Sequence, residues 1–261
     1  MHNFVLKALI LLLMVINPLD AQKQQHSFQY ELGLEFASVR EDLLIPLAFN
    51  GPGAVLGLGY QKLSGNWELN LDSRVKLDFM FNRFDHPAAM TSVDITPAIK
   101  RNIYQPSSSL DLQLGISTPL ELNNLFLFSW DDAHLYWFTI RGLNLEMSLN
   151  KELSKDRAIR LGLSIPIVSQ IARPKQQRLE KQDPSLNWLG FYSPDGPRDF
   201  QSGSYSSYQA IELSLELDQY QGRSGWELNF DYDHYSEPKD VWVLSTSLSY
   251  KHRFGKRGDR S

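Results

Sequence analysis

Trp67-Glu68-Leu69-Asn70-Leu71-Asp72-Ser73-Arg74-Val75-Lys76-Leu77-Asp78-Phe79-Met80-Phe81-Asn82 carries the pattern that decides the fold. Trp67, Leu69, Leu71, Val75, Leu77, Phe79 and Phe81 share one parity, and Glu68, Asn70, Asp72, Arg74, Lys76, Asp78 and Asn82 share the other. Successive side chains of a strand point to opposite faces, so this stretch predicts one apolar and one charged face. A helix would scatter the same charges around its whole circumference. The run is also long, because an average strand has about five or six residues.

The alternation recurs along the chain. Phe28, Tyr30, Leu32, Leu34 and Phe36 alternate with Gln29, Glu31, Gly33 and Glu35. Leu110 to Ile116, Ile159 to Ile167, Ile211 to Leu217 and Trp226 to Tyr232 repeat it, with weaker strands near 42–49, 53–62, 90–99, 122–130 and 135–150. In the last of these the apolar phase flips around Arg141-Gly142, which predicts a β-bulge. The final strand sets Trp242, Leu244, Thr246, Leu248, Tyr250, His252 and Phe254 against Val243, Ser245, Ser247, Ser249 and Lys251. Its aromatics stand at both ends of an aliphatic middle, as in two interfacial girdles flanking an apolar band.

Strands of this length exceed the 9–11 residues that a tilted transmembrane strand needs. Their charged faces suit a water-filled interior. The chain therefore predicts an all-β, antiparallel up-and-down transmembrane β-barrel of about twelve strands, with ten as the other even count. Met1 to Ala21 reads as a secretory signal peptide: Lys7, an apolar core from Ala8 to Ile16, then Asn17-Pro18 and a small residue before Gln22. The barrel domain is expected over 22–254, with a long outer loop at 172–203 and a tail at 255–261. The chain of 261 residues has no cysteine and a formal charge of -4. Disulfides, Cys-ligated metals and thiol nucleophiles are excluded, and nucleic acid is not the expected partner.

A start at Gln22 and the closing run Ser247-Leu248-Ser249-Tyr250-Lys251-His252-Arg253-Phe254 resemble the small outer-membrane β-barrels of Gram-negative bacteria, those of Bacteroidota among them. The resemblance implies a place in the cell outer membrane, with membrane lipid and the barrel-assembly machinery as partners. Such barrels often end on the aromatic residue. Here Gly255 to Ser261 follow it, so the terminal assembly signal would be internal.

With the last strand descending, loops near 39–41, 62–66, 100–108, 130–134, 172–203 and 234–240 are expected outside. Turns at Asn50-Gly51-Pro52-Gly53, 82–89, 117–122, 150–157 and 219–224 are expected on the periplasmic side. The inward face would carry Glu31, Glu35, Glu68, Asp72, Asp78, Asp94, Asp111, Glu146, Glu212, Glu216, Asp218, Glu227, Asp231 and Asp233 against Arg74, Lys76, Arg160, Lys251 and Arg253. This acidic excess points to a narrow channel or binder for small cationic or neutral solutes. A structural or assembly barrel with a salt-bridged, plugged lumen is the alternative. Trp188, Phe191 and Tyr192, in the proline-rich outer loop, could form a constriction or a binding surface.

A rim-active hydrolase is a further alternative. Asp131, Asp132 and His134 in one loop and Asp233 and His234 at another strand end resemble, in residue type and level alone, the Asp pair and Asp–His pair of omptin-like proteases. An enzyme is the lesser expectation. His26, His134, His234 and His252 lack metal-ligand spacing, so no metal or cofactor is expected.

Overall fold

The computed structural model describes residues 25–42, 45–107, 109–128, 134–154, 156–172, 201–203, 208–219, 223–236 and 240–254. They form β1 (Gln25–Glu41), β2 (Ile45–Ser64), β3 (Trp67–Phe81), β4 (Pro87–Ser107), β5 (Leu110–Ser117), β6 (Leu120–Leu127), β7 (His134–Ser154), β8 (Arg157–Ala172), β9 (Gln201–Gly203), β10 (Tyr208–Gln219), β11 (Ser224–Tyr235) and β12 (Val241–Phe254). Every pairing is antiparallel, and the sheet closes on itself. β1 pairs with β2 on one side and with β12 on the other, from Phe28 opposite Phe254 to Glu41 opposite Val241.

The twelve segments make ten barrel strands and one short extra strand. β5 and β6 are collinear, since both lie between β4 and β7 in an unbroken register. Ser117 stands opposite Ala98 and Asn144, and Leu120 opposite Ile95 and Arg141. Between them Thr118 N donates to Pro97 O at 3.0 Å, and Gly142 N donates to Pro119 O at 3.2 Å, which carries the ladder across the break. β9 pairs with Ser169–Ile171 of β8, along the edge that β10 covers from Arg157 to Ser164. The register shift between Leu143 and Asn144 places a β7–β8 irregularity two residues from the expected bulge.

The preferred count of twelve is thus corrected to ten. Asn50-Gly51-Pro52-Gly53, expected as a turn, lies inside β2. A Cβ on Gly51 would stand 1.9 Å from the Phe79 carbonyl oxygen, so the glycine there serves close approach of β3. Gly51→Ala is expected to loosen the β2–β3 edge and lower stability by roughly 1–3 kcal/mol, as overpacking does. A denaturant titration of the refolded barrel would check it. The segment 117–122, also expected as a turn, instead continues the ladder, with only Thr118 and Pro119 between β5 and β6.

Loop sides follow from the corrected count. β2, β4, β7, β10 and β12 end, and β1, β3, β5, β8 and β11 begin, at the end that holds Gln25 and Phe254, called here the terminal end. β1, β3, β6, β8 and β11 end, and β2, β4, β7, β10 and β12 begin, at the far end. So 62–66 and 100–108, expected outside, share the periplasm-assigned end, and 82–89 moves to the other. The β2–β3 turn is tight, with Gly65 at φ 58°, a conformation that two-residue hairpins require and glycine adopts freely.

Burial is inverted relative to a water-soluble domain. Phe28, Leu32, Leu34 (74% exposed), Phe36, Leu56, Leu58 (71%), Val75, Leu77 and Leu248 face outward. Glu31, Glu35, Glu68, Asp78, Glu216, Glu227 and Lys251 are buried inside. Aromatic residues gather at the terminal end on β11, β12, β1, β2 and β3. Phe28 lies 5.2 Å from Tyr60, Tyr30 lies 5.7 Å from Phe254, Trp226 lies 5.4 Å from Tyr250, and Arg101 stacks over Trp67. From Tyr250 to Trp242 the outward face of β12 spans eight residues, about 27 Å along the strand at ~3.4 Å per residue. Tilted by about 40°, that rises about 21 Å, within the ~25 Å apolar band of an outer-membrane barrel.

Candidate functional site

The chemistry of this chain faces inward, and it is layered along the barrel axis. At the far end the inward positions are apolar. Ala37, Val39, Phe49, Met80, Ala88, Met90, Leu125, Leu127, Phe138, Ile140, Ile171, Tyr208, Tyr235 and Val241 pack into one buried cluster, with Leu47, Ala210 and Val243 against it. An interior filled by packed side chains is what small barrels permit.

Below this plug the interior turns ionic. Arg74 sits at the centre, its Nε 3.1 Å from Glu31, Nη2 3.1 Å from Glu227 and Nη1 3.6 Å from Glu212. Lys76 Nζ stands 3.0 Å from Asp231 and 3.4 Å from Glu35. Toward the terminal end Lys100 pairs with Glu146 at 3.5 Å and Arg160 with Glu216 at 3.6 Å. Lys251 meets Glu227 there, and Arg253 meets Glu216 and Asp218. Charges withdrawn from water in this way are tolerated only when paired or hydrogen-bonded.

The sequence of β2 makes the cross-strand pairing possible. Its inward positions include Gly53, Gly57 and Gly59, each lying in register between an inward residue of β1 and one of β3. Across Gly57, Arg74 reaches Glu31; a Cβ there would come within 2.9 Å of the Glu31 Cβ. Across Gly59, Gln29 Nε2 donates to Asp72 Oδ1 at 2.9 Å. Across Gly53 lie two carboxyl groups, Glu35 and Asp78, the latter wholly buried. Neither oxygen of either group has a hydrogen-bond partner.

The interior keeps two cavities. One of about 90 Å³ lies beneath the apolar plug, lined by Glu35, Asp94, Glu121, Glu212, Asp231 and Asp233 with Arg74 and Lys76, under Met90, Phe138, Ile140 and Tyr208. The other, about 120 Å³, lies toward the terminal end between Asp72, Glu146, Glu216 and Glu227 and the cations Arg74, Lys100, Arg160, Lys251 and Arg253. Each has room for a few waters, at ~30 Å³ per molecule. The first is acidic and half apolar, whereas the second is nearly balanced in charge.

Of the expected rim residues, Asp233 and His234 are described, and they do not come together. Asp233 points inward and accepts from Tyr208 Oη at 2.6 Å, while His234, the next residue of β11, stands 3.6 Å from Asp240. Adjacent strand residues face opposite ways, so these two groups share no cleft. Asp131 and Asp132 and the loop aromatics Trp188, Phe191 and Tyr192 lie outside the described residues, as does the side chain of His134. No group of three or more His, Asp or Glu that could hold a metal ion occurs among the described residues.

Reading the sequence missed four contributors, one of them Glu121, which falls in the expected turn 117–122. Lys100 and Tyr208 lie at the margins of the expected strands. The apolar plug has a readable signal: alternation fails in Phe79-Met80-Phe81 and Leu125-Phe126-Leu127-Phe128, where both faces are apolar.

No family model matches the sequence, and no curated protein does. Solved structures resemble the fold at low similarity. The translocator domain of the autotransporter NalP from Neisseria meningitidis is 9% identical, with a TM-score of 0.38 over 90% of this chain and 91% of that one. An outer membrane channel from Pseudomonas putida F1 is 7% identical, with a TM-score of 0.39 over 92% of this chain and 100% of that one. The β-domain of the Bordetella autotransporter BrkA is 9% identical, with a TM-score of 0.40 over 88% and 100%. Each is a likeness of architecture.

Proposed function

We propose that this chain is an outer-membrane barrel whose narrow lumen takes up small cationic or neutral solutes, with the apolar plug at the outward end closing it at rest. The outward belt of leucine and phenylalanine between aromatic residues supports the membrane assignment. An even number of strands leaves both ends of the barrel chain on one side, the periplasmic one in bacterial barrels. The observation that carries the functional reading is the acidic cavity beneath the plug, six carboxyl groups against two cations. In a low-dielectric enclosure such an excess attracts cations and repels anions.

Planar bilayers test it. The purified barrel is expected to give small conductance steps with a reversal potential favouring K⁺ over Cl⁻. Phe138→Ala, which thins the plug, is expected to raise the conductance severalfold. Silence from both proteins after verified insertion would contradict passage. One observation favours a second reading, a plugged structural or assembly barrel: Arg74 alone ties carboxylates of β1, β10 and β11 together across the lumen. Silence would put that reading ahead.

A further inference from the structure

We propose that Lys76 is a tethered cation: its ammonium group fills the place in the lumen that a cationic solute would take, and such a solute passes only by displacing it. The inference rests on the reading of the lumen as a path for cationic solutes, and it adds what holds that path shut. Lys76 is rooted on β3, which pairs with β2 and β4, yet its partners lie on strands beyond these. Nζ donates to Asp231 Oδ2 of β11 at 3.0 Å and to Ser245 Oγ of β12 at 3.4 Å, and Glu35 Oε1 of β1 stands 3.4 Å away. Ser245 Oγ in turn donates to the same Asp231 oxygen at 3.2 Å.

The arrangement is a coordination shell rather than a brace in the wall. An ammonium group has three N–H donors. Here oxygens from three strands surround it, two of them carboxylate. Lys251, by contrast, meets Glu227 on the strand next to its own, where the pair ties neighbours together. Lys76, Glu35, Asp231 and Ser245 all line the cavity beneath the plug, and the inward Asp231 side chain remains 23% exposed. Without the lysine, six carboxyl groups there would face Arg74 alone. Arg74 is the less able to yield, since its rigid fork is held by Glu31, Glu227 and Glu212 at once. The Lys76 ammonium is a compact charge on a flexible stem, and its withdrawal leaves two carboxylates open to another cation.

The test detaches the ammonium from its stem. Lys76→Ala removes the atoms that n-propylammonium supplies. In urea titrations of protein folded into phospholipid vesicles, n-propylammonium chloride is expected to shift the folding equilibrium of Lys76→Ala at least threefold toward the folded state, relative to sodium chloride or n-propanol. A ligand that binds only the folded state stabilises it. The wild type, with the place filled, is expected to show no such shift. In planar bilayers Lys76→Met is expected to raise the K⁺ conductance at least threefold over the wild type. Lys151→Met, which changes an exposed lysine of β7, is expected to leave it unchanged. A Lys76→Ala protein that gains nothing from propylammonium, whether or not it folds unaided, would overturn the proposal and leave Lys76 a structural ion pair. Wild-type K⁺ current that Lys76→Met does not alter would overturn it too. Silence from every protein, with propylammonium still restoring Lys76→Ala, would sink the passage reading and leave the tethered cation standing.

Discussion

Val75→Arg is expected to lower the stability of the membrane-inserted barrel by about 2–4 kcal/mol, the penalty for an arginine on the lipid face near the midplane. Val75 points outward, half exposed, eight residues from Trp67 and six from Phe81 on the same face of β3. It therefore sits between the aromatic ends of the belt, where an arginine cannot snorkel to either interface without strain. Val75→Leu is expected to change stability by less than about 1 kcal/mol, as volume-tolerant apolar exchanges do on a lipid-facing surface. Urea titration of protein folded into phospholipid vesicles measures both. Equal tolerance of arginine and leucine would mean that this face does not meet hydrocarbon.

Arg74→Gln carries the other large effect. The guanidinium contacts Glu31, Glu212 and Glu227, and its removal takes the ion-pair partner from Glu31 and Glu212 in the interior, while Glu227 keeps Lys251. Breaking a buried ion pair from one side destabilises by about 3–5 kcal/mol, because the remaining charge is left uncompensated. The double variant Arg74→Gln/Glu31→Gln is expected to recover part of that loss, since one stranded charge goes with its partner. A thermodynamic cycle over the four proteins isolates the coupling. Additive losses would show that Arg74 acts through packing alone.

Much of this was legible in the sequence, for a physical reason. Alternation in β3 or β12 specifies faces directly, because the side-chain period of a strand is two and a one-residue error would invert the whole face. The charged parity of residues 68–78 is inward in the structure, and the apolar parity is outward. The strand count was not legible. Asn50-Gly51-Pro52-Gly53 has the composition of a turn, and only the neighbouring strand explains its glycines: Gly51 lies under the backbone of Phe79, and Gly53 leaves room for Asp78. Thr118-Pro119 misled in the same way, since the register on either side of it is set by β4 and β7. Long-range partners decide such segments.

The interior was half legible. Parity places each charge inside, yet nothing local says that Arg74 would reach Glu31 across Gly57, or that Lys100 would pair with Glu146. Those contacts depend on register between strands distant in sequence. The plug was overlooked because its residues stand beside belt residues in the sequence. In Phe79-Met80-Phe81 the middle residue belongs to the lumen and its neighbours to the lipid face.

Outer-membrane fractionation followed by gel electrophoresis of heated and unheated samples tests the central claim most directly, that this is a lipid-facing barrel with a charged, closed interior. The account predicts recovery in the outer-membrane fraction and a folded band that shifts in mobility on boiling. Release with the soluble periplasmic proteins, with no heat-dependent shift, would contradict it.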